Sequence, residues 1–419
     1  MKVVLINRSD QLGGAAIATL RLMHGLRSLG VDARMVVVDQ HGDDSHVTLV
    51  GNAWSRRWAF LAERLGIYVR NGRCRDTLFK IDTAMHGVDV SRHPWVKEAD
   101  ALLLGWTNQG MLSLKGVEQL GKLGKPIIWT MHDMWPCTGV CHHAYECQGY
   151  LAQCADCPLL PAGSELAQET LKRKASLYDK VPIRFVAVSH WLEQCCRRSS
   201  LLNKADITVI GNPFPTSEYA YEYVPRPGLP DDAVIIAMGA ARLDDPVKGF
   251  DLLIDTMRHL HEHDSALANR LHLLLYGDLR DPSLLQQLKV SYTYLGYITD
   301  INAVFRQAHI VLSTSRYESF GYTLLEGLAS GCIPVTTGAG GQTDIVKHLH
   351  NGYLTGSNDP ADVARGIAWA SQANLNRADQ HRWVADHFDA HFIAQQYLDL
   401  INNSKLLTLN SSRANSIIS

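Results

Sequence analysis

Short apolar runs alternate with amphipathic stretches along most of the chain. Residues 3–6 (Val-Val-Leu-Ile) form one such run. After the Gly13-Gly14 pair, apolar residues over 15–29 recur on a helical period and stop at Gly30. Further buried-strand candidates lie at 33–38, 101–104, 127–130, 185–188 and 207–210, with helical stretches between them. This alternation predicts a parallel sheet covered on both faces. At 211–232 the pattern breaks, because Asn212-Pro-Phe-Pro215 and Val224-Pro-Arg-Pro-Gly-Leu-Pro230 can continue neither a helix nor a central strand. It restarts with runs at 234–238, 271–276, 292–295, 310–313 and 333–336.

The reading is therefore α/β, with two doubly wound parallel-sheet domains. The first covers 1–211 and carries a Cys-rich insert at 137–158. A linker follows at 212–232, then a second domain at 233–401. The Asn- and Ser-rich segment 402–419 lacks periodicity and reads as a disordered tail. Ligands of open α/β sheets bind beyond the carboxyl ends of the strands. With two such domains, the expected site is a cleft between them.

Composition narrows the function. Of 419 residues, 46% are apolar and 20% charged, and the formal net charge is −2. That balance suits a soluble globular protein and argues against a nucleic-acid partner. No run of 18 apolar residues suggests a membrane span, and 1–10 lacks a secretory apolar core, so a cytoplasmic location is expected. Nine cysteines, five of them between Cys137 and Cys157, do not form the even framework of a small secreted domain.

The strongest chemical signal is the segment 315–326. Glu318 and Glu326 stand eight apart, after an apolar strand and across the start of a helix. Only twelve glutamates exist, and no other pair has this spacing. Between the two, Ser319, Phe320 and Gly321 would present backbone N–H groups at a helix N-terminus, a place for phosphate. An anion flanked by two acceptors of hydroxyl hydrogen bonds suits a nucleotide sugar. A second loop, 241–251, brings Arg242 and Lys248 after a strand; Arg can grip two phosphate oxygens, and Lys acts as a point charge.

Together these pieces resemble the retaining glycosyltransferases of family 4. The matching residues are Gly13-Gly14, His132-Asp133, Arg242 with Lys248, Gly296-Tyr297-Ile298, Glu318 with Glu326, and Gly331-Cys-Ile-Pro-Val335. The resemblance implies the GT-B fold, two Rossmann-like domains facing across a cleft. It implies Arg242 and Lys248 on the donor diphosphate, Glu318 on the sugar hydroxyls, Glu326 on the ribose and Gly296–Ile298 along the base. Gly13 and Gly14 would approach the donor, and His132 would lie near the anomeric carbon. One departure is Asp344 in Gly340-Gly-Gln-Thr-Asp344, where the family usually has Glu.

The function so implied is transfer of a sugar from a UDP- or GDP-sugar to a saccharide acceptor with retention. The expected acceptor is a lipid-linked oligosaccharide in bacterial surface-polysaccharide assembly. No metal cofactor is required, because the two cations and a helix N-terminus can neutralise the phosphates. Rival readings are a GT-B-fold nucleotide-sugar epimerase or phosphorylase, and a non-catalytic scaffold.

Two features stand apart from the transfer chemistry. Cys141, Cys147, Cys154 and Cys157 place four thiols within 17 residues and end in a Cys-x2-Cys, enough for a tetrahedral structural zinc. Buried reduced thiols or a redox-labile pair are the other readings. The insert, which begins Thr-x-His-Asp-x-Trp, resembles that of the colanic-acid-type subgroup. Residues 54–75 carry six arginines against Glu63, with Trp54, Trp58, Leu61 and Leu65 on one helical face. Such a helix either packs its apolar side on the sheet or lies peripherally on the inner membrane beside anionic lipids.

Overall fold

The computed structural model describes the backbone of residues 1–417 and the side chains of 1–404. The chain forms two compact units: Met1–Pro213 together with Ala390–Ser419, and Phe214–Asp389.

The first unit is built on a seven-stranded parallel sheet of β1 (Lys2–Ile6), β2 (Asp32–Val37), β3 (Val47–Leu49), β4 (Ala101–Leu104), β5 (Ile127–Met131), β6 (Ile183–Ala187) and β7 (Ile207–Val209). Their order is β3-β2-β1-β4-β5-β6-β7. From β1 the chain steps one way to β2 and the other way to β4, so the order reverses between β1 and β4. A doubly wound sheet opens a crevice at such a point, beyond the strand ends. The central strands are buried from end to end, as in Ala101–Leu104 and Ile127–Met131. Covering helices explain their unbroken apolar character.

The second unit carries a six-stranded parallel sheet of β8 (Val234–Arg242), β9 (Leu271–Asp278), β10 (Ser291–Gly296), β11 (Ile310–Ser313), β12 (Ile333–Thr337) and β13 (Tyr353–Thr355). The order β10-β9-β8-β11-β12-β13 reverses between β8 and β11. Ile236, Leu273, Leu312 and Val335 from four strands meet Leu253, Met257 and Ile367 from the helices in one core.

All eleven strands read from the sequence are present. The two additions, β3 and β13, are three-residue edge strands with only one buried position each. So short a run leaves no period to read.

Three boundaries differ from the sequence reading. The segment expected to be a linker is fastened to the second unit from Phe214 onward. Asn302 bonds both the N–H and the carbonyl of Ala220, Arg377 donates to the Tyr221 carbonyl, and Val224 N–H donates to the Arg306 carbonyl. The second unit ends at Asp389 rather than 401. The helix Ala390–Ile417 belongs to the first unit, where Ile393, Ala394, Tyr397 and Ile401 enter its core. Gly25 makes the approach possible: a Cβ there would lie 2.7 Å from the Ala390 carbonyl oxygen and 2.9 Å from Ala394 Cβ. The same helix replaces the expected tail. Its docked turns hold Ser404, which accepts from Arg184 at 3.0 Å, and the backbone stays helical to Ile417. Residues 418–419 lie outside the described residues.

Candidate active site

In the second unit the loops after β8 and β11 meet at the reversal point. β8 ends at Arg242, followed by a short turn at Pro246–Lys248 and by Gly249, which opens the helix Phe250–His263. Gly249 has φ 68°, and a Cβ would fall 2.1 Å from the Thr314 carbonyl oxygen, so no other residue fits without displacing the neighbouring loop. The Thr314 hydroxyl reaches the Lys248 and Gly249 carbonyls at 3.0 and 2.8 Å. Arg316 N–H donates to the Val247 carbonyl, and its guanidinium grips both Asp251 oxygens at 2.8 and 2.6 Å.

This stitching brings Lys248 Nζ to 3.0 Å from Glu318 Oε2. Both side chains keep an open face, at 34% and 25% exposure. Arg242 stands in the same loop, with Nε 3.2 Å from Asp244 and a second nitrogen 3.7 Å from Asp245. Beyond Glu318 comes Gly321 (φ 115°), and then the helix Tyr322–Ala329 with Glu326 on it. No side chain caps the N-terminus of that helix. Its first N–H groups and dipole end therefore favour an anion. Glu326 lies close enough to the buried Tyr276 of β9 that burial and its negative charge both push the phenol well above its ordinary pKa. Gly296, Tyr297 and Ile298 close the same edge of the sheet at the end of β10, with Tyr297 87% exposed.

The sequence reading gave no role to the glycines that hold Glu318 in place. Glu318 N–H donates to the Ala339 carbonyl, and Gly341 N–H donates to the Glu318 carbonyl at 2.9 Å. A Cβ on Gly340 (φ 143°) would sit 2.0 Å from the Glu318 carbonyl oxygen, and one on Gly341 2.2 Å from that of Ser319. Buried Gln342 donates to Ser313 Oγ at 3.2 Å from the same loop. The Gly-Gly pair after β12 was the available signal.

In the first unit the candidates follow β1 and β5, on either side of β4. Gly13 (φ 88°) precedes the helix Gly14–Ser28 in an exposed loop, and a Cβ on it would meet nothing within 4 Å. His132 follows β5, two strands from β1, which is ~10 Å at the usual strand spacing. It borders a small cavity with Thr19, Gly105, Thr130, Asn212 and Tyr397. Burial lowers its pKa to about 4 against the opposing pull of Asp133, so the imidazole is neutral at pH 7. Asp133 points into the unit: it accepts from Trp106 Nε1 and Trp135 N–H at 2.8 Å each and lies 2.8 Å from His142 Nδ1. Burial alone would raise the Asp133 pKa, but the neighbouring His142 and these donors hold it at about 2. Asp133 thus braces the strand end beside His132.

Sequence comparison bears on the second unit. Residues 232–372 match the family model of glycosyl transferases group 1. That stretch contains Arg242, Lys248, Glu318 and Glu326 in one segment of known type. An uncharacterized glycosyltransferase of Methanocaldococcus jannaschii, MJ1607, is 26% identical over 54% of this chain and 53% of its own length. A lipopolysaccharide core biosynthesis mannosyltransferase of Rhizobium leguminosarum, LpcC, is 26% identical over 37% of this chain and 45% of its own. The chain thus spans about half the length of the curated relatives it matches. Among solved structures, Anabaena HepE in complex with UDP and glucose superposes with a TM-score of 0.60 at 17% identity, over 96% of this chain and 99% of that one. At that identity the likeness concerns the fold alone, which is of the GT-B class.

Two features lie outside the group 1 segment. Cys141, Cys147, Cys154 and Cys157 all line one cavity of the first unit. The helix Ala53–Arg70 turns its aromatic stripe outward: Trp54, Trp58, Leu61, Leu65 and Val69 are 74, 59, 48, 62 and 62% exposed. Its buried side sets Ala59 and Ile67, the latter in an apolar cluster with Ile81 and Val140, beside two charged groups. Glu63 accepts from the Thr83, Met85 and His86 N–H groups and the Thr83 hydroxyl, and Arg64 pairs with Asp82. The helix therefore packs through Ala59 and Ile67 with satisfied charges beside them, while the stripe of Trp54, Trp58, Leu61 and Leu65, which one reading placed on the sheet, faces out.

Proposed function

We propose that this protein is a retaining glycosyltransferase that moves a sugar from a nucleotide diphosphate donor to a saccharide acceptor. The observation that carries the reading is the Lys248–Glu318 pair at the reversal point of the second sheet, beside the uncapped helix Tyr322–Ala329. On donor binding, Lys248 and Arg242 take the diphosphate oxygens, and the helix N-terminus at Ser319, Phe320 and Gly321 adds N–H donors. Glu318, released from Lys248, accepts hydrogen bonds from the sugar hydroxyls. Glu326 accepts from the ribose, and Gly296, Tyr297 and Ile298 flank the base. As the leaving diphosphate gains charge, these fixed cations stabilise it without needing a metal ion.

In the first unit, Gly13 and Gly14 give the backbone close approach to the donor. Neutral His132 offers a hydrogen bond to the reacting sugar and not a positive charge. The presence of UDP and glucose in the HepE complex supports a UDP-sugar, with GDP-sugars the other candidates.

The likeness to LpcC, by name an enzyme of lipopolysaccharide core biosynthesis, supports a role in surface-polysaccharide assembly, and the acceptor proposed for that role is lipid-linked. No helix among the described residues is long and apolar enough to cross a membrane. The exposed stripe of the helix Ala53–Arg70, flanked by exposed Arg57, Arg70, Arg73 and Arg75, suits peripheral contact with an anionic cytoplasmic membrane face.

The test is nucleotide release from UDP-, GDP- and ADP-sugars with and without lipid-linked oligosaccharide. Acceptor-dependent release from one donor, lost in Glu318→Ala with melting unchanged, is the expected result. Turnover of the nucleotide sugar with no acceptor would instead indicate an epimerase. A requirement for inorganic phosphate would indicate a phosphorylase. No release and no thermal shift with any nucleotide would leave a scaffold.

A further inference from the structure

We propose that Cys141, Cys147, Cys154 and Cys157 bind one structural zinc ion in the first unit. The four are spread over 17 residues of the 137–158 insert, yet all line a single cavity of about 20 Å³, whose other walls are Val140, Ala144, Tyr150, Ala155 and Ala167. A water needs roughly 10–15 Å³ of such space and two or more polar partners. Here the side-chain walls are sulfur and hydrocarbon apart from the Tyr150 phenol, a lining suited to a thiophilic cation.

The backbone treats these sulfurs as acceptors. Gly139 N–H donates to Cys154 Sγ at 3.2 Å and Gly149 N–H to Cys147 Sγ at 3.4 Å. These N–H groups fix where the Cys147 and Cys154 sulfurs point within the insert. The turns that aim them are strained: Tyr145, Cys154 and Asp156 have φ of 48°, 53° and 51°. Non-glycine residues rarely hold that conformation unless their surroundings demand it. Below the insert, Lys174 is fully buried. It donates to the Trp135 and Thr138 carbonyls, close to Cys141 and Cys154. The face of the Trp135 ring, 3.4 Å from its Nζ, completes its surroundings.

Among the described residues, no three His, Cys, Asp or Glu side chains already stand in metal-binding geometry. Binding therefore has to bring the four sulfurs closer together than they stand here. Four Zn–S bonds form, four S–H bonds break, and four protons pass to solvent with no change of oxidation state. With every position filled by thiolate, none is left for substrate, so the ion is structural. It fastens the insert, including His142 next to Cys141, whose ring holds Asp133.

The test is metal analysis of the full chain purified without chelator. One zinc per chain is expected, retained by Cys74→Ser, whose thiol lies outside the cavity, and lost in Cys154→Ser/Cys157→Ser. Because the double variant risks misfolding, a second measurement adds cobalt(II) to the metal-stripped wild-type chain. Intense visible bands of tetrahedral cobalt with sulfur-to-metal charge transfer are expected. A folded wild-type chain that holds less than stoichiometric metal and gives no such bands overturns the proposal. So does iron in place of zinc, a disulfide among the four cysteines, or full zinc retention by the double variant.

Discussion

Replacing Lys248 by Met removes one cation from the loop after β8 and leaves Glu318 without its ion pair. The structural cost is modest. The pair is 3.0 Å long and roughly a quarter to a third exposed. Such pairs contribute about 1 kcal/mol or less. For a unit of this size that is a melting shift of about 2–4 °C. The functional cost is far larger if Lys248 meets the leaving diphosphate. Loss of one fixed donor to a charge that develops in the transition state costs about 3–4 kcal/mol, or 10²–10³ in rate. Lys248→Met should therefore lower kcat/KM for the donor by about 10²–10³ while melting within a few degrees of wild type. It should also lose much of the thermal stabilisation given by saturating UDP, which is ~2.7 kcal/mol at a hundredfold excess over Kd. The assay pairs nucleotide release with thermal denaturation, and adds Glu318→Gln and the double variant to complete a cycle. If both residues serve transfer, the two activity losses combine non-additively while the stability coupling stays within about 1 kcal/mol. Activity within tenfold of wild type would refute the assignment of Lys248 to the diphosphate. A fall in stability of more than about 3 kcal/mol would refute the distinction between site and scaffold.

Other outcomes follow from the same geometry. The His132 pKa is lowered to about 4 from an unfolded value near 6.5, so between those pH values the unfolded chain holds the extra proton. Stability should be full above pH 6.5 and fall on acidification toward pH 4, by on the order of 3 kcal/mol from this group; chemical denaturation of His132→Gln, which cannot titrate, should lack that component of the slope. Trp54→Ser/Trp58→Ser removes two exposed aromatics that would each gain about 2 kcal/mol on burial, so co-sedimentation with anionic vesicles should weaken at least a hundredfold while neutral vesicles bind neither protein. Gly340→Ala places a Cβ 2.0 Å from the Glu318 carbonyl in a left-handed backbone. It should depress donor turnover strongly at a stability cost of about 1–3 kcal/mol, whereas Gly356→Ala, with only a 3.8 Å contact to Asp362, should turn over like wild type.

The sequence determined the local elements and the types of chemistry. The central strands were legible because a strand buried on both faces has to be apolar throughout, and the largely exposed edge strand β10 was legible from its Tyr-Thr-Tyr-Leu run instead. The loop motifs were legible too, because cations, carboxylates and glycines at strand ends leave a fixed order along the chain. Only the tertiary structure decided what met what. Lys248 and Glu318 lie 70 residues apart and come together because β8 and β11 are neighbours in the sheet. The Gly340–Gly341 turn became part of the site only when its backbone was found against Glu318 and Ser319. The last helix shows the limit most plainly. Asn402, Asn403 and Ser404 are poor helix signals, and nothing local says that the chain returns to the first unit after Asp389. The return depends on Gly25 and Ala394 being small enough for two helices to touch. In the helix Ala53–Arg70, periodicity defined an apolar face but not its direction. Glu63 faces inward because four donors 20–23 residues further along the chain wait for its carboxylate, and only the folded chain places them there.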